Sequence, residues 1–273
     1  MRASARIIDL TVLTCVVPNA LAGSVMDAVS EAGWLAAAMN LFGVSAVVWI
    51  AFALAALRLG HDPHDAQVSV WPALLVGLAC LIPSAQLAWA AGALWFGGRI
   101  AQSRFSSGEL QAGHLIALAL CARTPVTWLM MTLLAEPLLQ VDAVLAGWLA
   151  TLMTPIAGVE SNIVVNASGH RLFVMTGCSS WNNLSLALLF WFAMTRGLLT
   201  RDQLPPWWHG VAVGASVVLI NTVRLAVMAV SAEYYAWLHD GSGADVVLAV
   251  TALVVAAATF FSLRGGRHAP AAA

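Results

Sequence analysis

The run MTGCSSWNNLSLALLFWFAMTRGLL, residues 175–199, shows the pattern that decides the fold class of this chain. A polar stretch containing one glycine-flanked cysteine, Cys178, is followed at once by a long apolar run. Apolar runs of this kind dominate the sequence, since 61% of its 273 residues are hydrophobic and only 9% are charged. Such a composition is typical of an integral membrane protein.

Eight segments are apolar over about the 20 residues that a helix needs to cross a bilayer. They are residues 7–25, 34–57, 69–97, 114–137, 141–158, 180–199, 209–236 and 244–263. The third contains Pro83, so it is either one kinked span or two shorter helices. The first also resembles a cleavable signal peptide, although a retained helix fits it better. We predict an all-α polytopic membrane protein with about eight transmembrane helices.

Arginine placement predicts the orientation of the chain in the membrane. The formal net charge of −1 leaves no positive surplus for binding nucleic acid. Eight spans with a cytoplasmic N-terminus put most arginines inside, as the positive-inside rule requires. The inside set is Arg2, Arg6, Arg58, Arg196, Arg201, Arg264 and Arg267, and the outside set is Arg99, Arg104 and Arg171. Arg99 and Arg104 move inside if the third segment forms two spans.

Cys178 follows a stretch that predicts a small extracytoplasmic β-hairpin, NIVVNASGHRLFVM, residues 162–175. Ser179 or Ser180 can cap the helix that starts after the cysteine. A thiol at a helix N-terminus faces the positive end of the helix dipole, which favours the reactive thiolate. This setting distinguishes Cys178 from the cysteines inside apolar runs, which are Cys15, Cys80 and Cys121.

A second unusual stretch is LINTVRLAVMAVSAEYYAWLHDGSG, residues 219–243. Asn221 and Arg224 interrupt an apolar helix, and their spacing of three places both on one face. A charged residue inside a span is costly and is therefore a functional candidate, although pairing with an acid such as Glu136 is the structural alternative. His239 follows at the outer end of the helix, as a proton carrier or as a partner of the helix C-terminus.

Cys178, Arg224 and His239 are a nucleophile, a fixed cation and a proton carrier, the parts that thiol-dependent acyl transfer needs. The blocks GCSS, NTVR and LHDGSG, in this order within residues 160–262, resemble the exosortase/archaeosortase family of membrane cysteine transpeptidases. The resemblance implies Cys178 as nucleophile, Arg224 as stabiliser of the transition state or thiolate, and His239 as general acid and base. It also implies a supporting role for Asn221.

The family resemblance implies a cysteine protease or transpeptidase that cleaves the C-terminal sorting signal of exported proteins. Such a signal has a short motif such as Pro-Glu-Pro, a transmembrane helix and a basic cluster, and a lipid, a glycan or water resolves the acyl-enzyme. The expected location is the plasma (inner) membrane, among its lipids, with the active site on the extracytoplasmic side and without a cofactor or metal. The corresponding regions are an N-terminal multi-span region, 1–158, an exosortase-like catalytic core, 159–264, and a disordered tail, 265–273.

Two other classes of function stay open at this point. A transporter would use Arg123, Arg224 and Glu136 as a substrate or proton path, but the inverted halves common in transporters are not visible in the sequence. A non-catalytic membrane assembly protein would tolerate the loss of Cys178. If His239 is not the base, His209 and His170 are the next candidates.

Overall fold

A computed structural model describes residues 2–61, 67–102 and 108–267, so that Arg104 and residues 268–273 of the predicted tail lie outside the described residues. Helices dominate these ranges. They are α1 (Ala5–Met39), α2 (Ala46–Gly60), α3 (Trp71–Cys80), α4 (Ala85–Gln102), α5 (Gly108–Ala150), α6 (Ser180–Leu198), α7 (Trp208–Met228), α8 (Ala232–His239) and α9 (Ser242–Arg267). The strands are β1 (Arg2–Ser4), β2 (Gln67–Ser69), β3 (Ile156–Glu160), β4 (Ile163–Asn166) and β5 (Arg171–Phe173).

The helices have the length and surface of a membrane protein. Within the described ranges, four of them are long and apolar enough to cross a membrane: Ala5–Met39, Gln111–Ala150, Trp208–Met228 and Ser242–Gly265. Large apolar side chains cover the outside, and Trp148 and Leu253 are 71% and 70% exposed. An exposed apolar surface of this extent is suited to contact with lipid. The chain is therefore a helical membrane protein, while the count of eight spans stays a prediction.

The first half departs from one of the predicted spans and decides between the two alternatives predicted for another. The second span, 34–57, is wrong as one helix, because its first residues, up to Met39, form the last part of α1 after a break at Gly33 (φ 78°), and the chain turns again before α2. Leu41 and Phe42 adopt positive φ values of 50° and 57° in that turn, which no continuous helix allows. The third span forms two helices, α3 and α4, which meet at a short turn containing Pro83.

The second half departs from two more. The fifth span, 141–158, is not separated from the fourth, because α5 runs through residues 138–140, and it is wrong beyond Ala150, where α5 ends and the chain enters β3. The seventh span, 209–236, is wrong as one helix, because α7 ends at Met228 and α8 begins at Ala232. The Ser231 hydroxyl accepts a hydrogen bond from the Tyr234 N–H at 3.2 Å, so it caps the new helix. The helices at 180–199 and 244–263 are confirmed as α6 and α9.

The chain divides into two compact units. One comprises Met1–Val126, Leu189–Pro205 and Leu263–Ala273, and the other comprises Thr127–Leu188 and Pro206–Ser262. All four predicted site residues belong to the second unit, because Cys178 lies in its first range and Asn221, Arg224 and His239 lie in its second.

The first unit contains a fully buried carboxylate, Asp9 of α1. Asp9 accepts hydrogen bonds from Trp95 Nε1 at 2.9 Å and Arg99 Nε at 3.1 Å, both on α4. His114 Nε2 of α5 lies 2.8 Å from the same carboxylate. Because Asp9 is in the second turn of α1, Arg99 lies near the N-terminal end of that helix. This position of Arg99 follows from the division of the third span into two helices, because a single span would put Arg99 at the opposite side of the membrane.

The second unit contains an antiparallel three-stranded sheet in the order β3-β4-β5. The predicted hairpin is confirmed as β4 and β5, in which Val164 pairs with Leu172, and β3 is an addition to it. The sheet packs closely on α5 at Gly147, where an added Cβ would lie 2.5 Å from a methyl carbon of Val159. Glycine is therefore required at this position for the sheet to approach the helix.

Side chains of the sheet also explain why α7 ends where it does. Asn166 Nδ2 donates to the Val230 carbonyl at 2.7 Å, and His170 Nε2 lies 3.0 Å from the Met228 carbonyl. These are carbonyls that a continuing helix would have used itself. The contacts hold the β4–β5 hairpin against the C-terminal end of α7.

Candidate active site

Cys178 ends a short 3-10 helix, Thr176–Cys178, directly before α6. Ser179 Oγ accepts a hydrogen bond from the Trp181 N–H at 3.2 Å, which confirms one of the two predicted helix caps. The Cys178 side chain is only 5% exposed and belongs to a buried apolar cluster that includes Leu225 of α7 and Leu238 of α8. The nucleophile candidate is thus enclosed by the helices that carry the other candidates.

Asp142 of α5 is a buried site residue that the sequence interpretation missed. Its carboxylate accepts hydrogen bonds from Ser179 Oγ at 2.9 Å, from the Ser180 backbone N–H at 3.1 Å and from Ser180 Oγ at 2.7 Å. A carboxylate at this place satisfies the first N–H of α6 and complements the positive end of its dipole. Asp142 therefore fixes the two residues that directly follow Cys178.

Asn221 connects α7 to the cysteine turn. Its side-chain Nδ2 donates to the Cys178 carbonyl at 3.0 Å and to Ser180 Oγ at 3.1 Å. The side chain is 4% exposed, and at such burial a hydrogen bond is worth more than at the surface. Asn221 thus has a contact that matches the supporting role expected of it.

Arg224 reaches α8 from the same face of α7. Its Nε and one terminal nitrogen donate to the Leu238 carbonyl at 3.2 Å and 2.9 Å. The suggested alternative partner, Glu136, is exposed, so the contact of Arg224 is a backbone carbonyl instead. The Arg224 guanidinium therefore binds the residue that directly precedes His239 in the sequence.

His239 is the last residue of α8, and not of α7 as the sequence predicted. Its Nδ1 lies 2.8 Å from Asp240 Oδ1. The Tyr235 ring stacks on the imidazole, with 4.9 Å between centroids and 16° between planes. These two contacts fix the ring plane and engage Nδ1, so that Nε2 is the nitrogen suited to exchange a proton with a substrate.

The two alternative histidines have other roles. His170 is engaged with the Met228 carbonyl at the end of α7. His209 Nδ1 lies 3.0 Å from Ser262 Oγ. His209 also precedes Asn221 by twelve positions on α7, which is about 18 Å along a helix axis. His239 therefore stays the preferred proton carrier near the end of α7 that carries Asn221 and Arg224.

Replacing Asp142 with alanine should lower the stability of the protein by about 2 kcal/mol, because the Ser180 N–H loses its buried acceptor. The measurement is the unfolding midpoint of the detergent-purified protein. Glu136→Ala is the matched control, since Glu136 is an exposed acid on the same helix. Equal midpoints for the two variants would show that Asp142 does not hold the start of α6.

Comparisons of the chain with protein-family models, with curated proteins and with solved structures found no match. Any assignment of function therefore depends on the residues and their geometry.

Proposed function

We propose that this chain is a membrane-embedded cysteine protease or transpeptidase that cleaves the C-terminal sorting signals of exported proteins. One observation carries the proposal: Asn221 and Arg224, one turn apart on α7, bind the backbone at Cys178 and beside His239. Three segments that are distant in sequence are thereby linked at one end of α7. They carry the nucleophile, the cation and the proton carrier.

The chemistry begins with transfer of the thiol proton of Cys178 to His239 Nε2. The sulfur attacks the carbonyl carbon of the scissile peptide, and the resulting oxyanion is stabilised by the Arg224 guanidinium. A guanidinium has five N–H donors, and the Leu238 carbonyl accepts from two of them, one on Nε and one on a terminal nitrogen. When the C–N bond breaks, His239 returns the proton to the leaving amine and a thioester remains on Cys178. Water or an acceptor amine or hydroxyl then releases the acyl group.

The low exposure of Cys178 sets a condition on this reaction. A thiol that is 5% exposed meets a substrate carbonyl only after the side chains that cover it have moved. We propose that the apolar helix of the C-terminal sorting signal displaces these covering side chains as it binds among the membrane helices. This would restrict the reaction to substrates that carry a membrane anchor. The reaction would take place at the extracytoplasmic side of the plasma membrane.

Arg224→Lys tests the proposed role of the cation. An ammonium keeps the charge but lacks the planar fork that can bind the Leu238 carbonyl and an oxyanion together. Cleavage of the client, the exported protein that carries the sorting signal, should therefore slow by roughly 10²–10³. The measurement is the rate at which a tagged client loses its anchoring helix, normalised to the amount of enzyme in the membrane. Arg171→Lys, at an exposed arginine of β5, is the control. A normal rate in Arg224→Lys would return Arg224 to a structural role.

A transporter is the second candidate, favoured by the buried Asp9, Arg99 and His114 of the first unit. Ionisable residues enclosed in a membrane protein commonly mark an ion or proton path. The two functions differ in their dependence on Cys178, because a proton path through Asp9 does not use a thiol. Loss of client cleavage in a cysteine variant with Asp9 unchanged would favour the enzyme.

A further inference from the structure

A pocket in the first unit brings together three arginines from different parts of the chain. Arg58 lies in the last turn of α2, Arg196 in the last turn of α6, and Arg201 in the following short 3-10 helix. They line a cavity of about 160 Å³, room for several water molecules. The remaining lining residues are Gln111, Ala112, Leu115, Leu199, Thr200 and Leu204.

Two of the arginine side chains, Arg58 and Arg196, have contacts that orient them, and the short helix that carries Arg201 is capped. Arg58 Nε donates to the Gly197 carbonyl at 2.9 Å, which links α2 to the end of α6. The guanidinium of Arg196 lies 5.5 Å from the centroid of the Phe192 ring, a cation–π contact. The Thr200 N–H donates to Gln203 Oε1 at 3.2 Å, part of a capping box that closes the 3-10 helix carrying Arg201. Fixed positions of this kind are a feature of a binding site rather than of mobile surface charge.

Among the described residues, the side chains that line the pocket carry charge of one sign only. No carboxylate is among the residues lining it in the described part of the chain, and the neighbouring Asp202 is exposed. Arg196 is half-buried, so its positive charge is partly desolvated, and the nearby positive charge of Arg201 disfavours it further. An anion bound between them would remove this repulsion and would accept several charge-assisted hydrogen bonds.

We infer that this pocket binds a phosphate group, and that the phosphate belongs to the headgroup of an anionic phospholipid. Several guanidinium groups suit the oxygens of a phosphate, with which arginine forms bidentate hydrogen bonds. Leu115, Leu199 and Leu204 add an apolar wall that acyl chains can contact. Basic pockets at the cytoplasmic ends of membrane helices bind anionic headgroups, and the positive-inside rule predicts that these three arginines lie on the cytoplasmic side. The inference is independent of the proposed peptidase activity.

The test is a binding titration of the full chain purified in a neutral detergent, with native mass spectrometry as the readout. Short-chain phosphatidylglycerol, short-chain phosphatidylcholine and inorganic phosphate are the three probes. We expect phosphatidylglycerol to bind at least about tenfold more tightly than phosphatidylcholine, and Arg196→Gln or Arg201→Gln to weaken it by about tenfold each. Arg6→Gln, at an exposed arginine of α1, should leave the affinity unchanged.

Equal binding of phosphatidylglycerol by all of these proteins would overturn the site, since it would show a non-specific lipid surface. Arginine-dependent binding of inorganic phosphate, without a preference for phosphatidylglycerol, would support the phosphate site and overturn the lipid as its source. Because Arg201 is exposed, Arg201→Gln should fold normally, and an unchanged unfolding midpoint without ligand checks this.

Discussion

Replacing His239 with alanine should slow the release of a client's anchoring helix by roughly 10²–10⁴, the range for loss of a general acid and base. In the proposed mechanism, the leaving amine would then depart without a proton from Nε2. Asp240→Asn should give a smaller loss, because Asp240 is 79% exposed at its side chain and its charge is screened by water. A large loss of rate in His239→Ala and a smaller loss in Asp240→Asn would distinguish a proton carrier and its orienting partner from two unrelated surface residues.

The measurement for His239 is a time course of processing of a tagged client. His61→Ala is the matched control, because His61 also lies at a helix end, as the C-cap of α2, and its Nδ1 makes a local contact with the Leu57 carbonyl. A structural role at the helix end would cost at most about 1 kcal/mol of stability and leave the rate unchanged. Equal rates for His239→Ala and His61→Ala would therefore remove His239 from the mechanism.

Local patterns predicted the parts of the fold that local interactions determine. The apolar run after Cys178 and the last apolar run form α6 and α9, and the β-rich run before the cysteine forms β4 and β5. The spacing of Asn221 and Arg224 correctly indicated that they share a face of α7. These features need only the period of a helix or strand and the chemistry of its first residues.

The missed elements depend on partners that are distant in sequence. Asp142 and Asp9 lie in apolar runs, and their partners Ser179 and His114 follow 37 and 105 residues later. Nothing local indicates such pairs. Strand β3 was included in a span because a short apolar run does not distinguish a buried strand from a helix.

The break between α7 and α8 contains neither glycine nor proline, so the usual breaking signals are missing. It forms because Asn166 and His170 of the sheet bind the last carbonyls of α7. A weaker signal was present, since Ser231 followed by Glu233 is typical of a helix start. The break between α7 and α8 matters for the candidate site, because the separate α8 allows Arg224 to bind the Leu238 carbonyl next to His239.

Cys178→Ala tests whether Cys178 forms a covalent bond with the client. Loss of the proposed nucleophile should reduce cleavage by roughly 10⁶, the effect of losing the nucleophile in a serine protease. Cys121→Ala is the matched control, because Cys121 is also a buried free thiol and its loss leaves a similar small void. Both variants must reach the membrane at the wild-type level.

The decisive measurement is cleavage of a tagged exported protein that ends in a Pro-Glu-Pro motif, an apolar helix and a basic cluster. We expect the wild-type protein and Cys121→Ala to release the anchoring helix, whereas Cys178→Ala should leave the client at full length. Release of the helix by Cys178→Ala at the rate of Cys121→Ala would show that Cys178 is not the nucleophile.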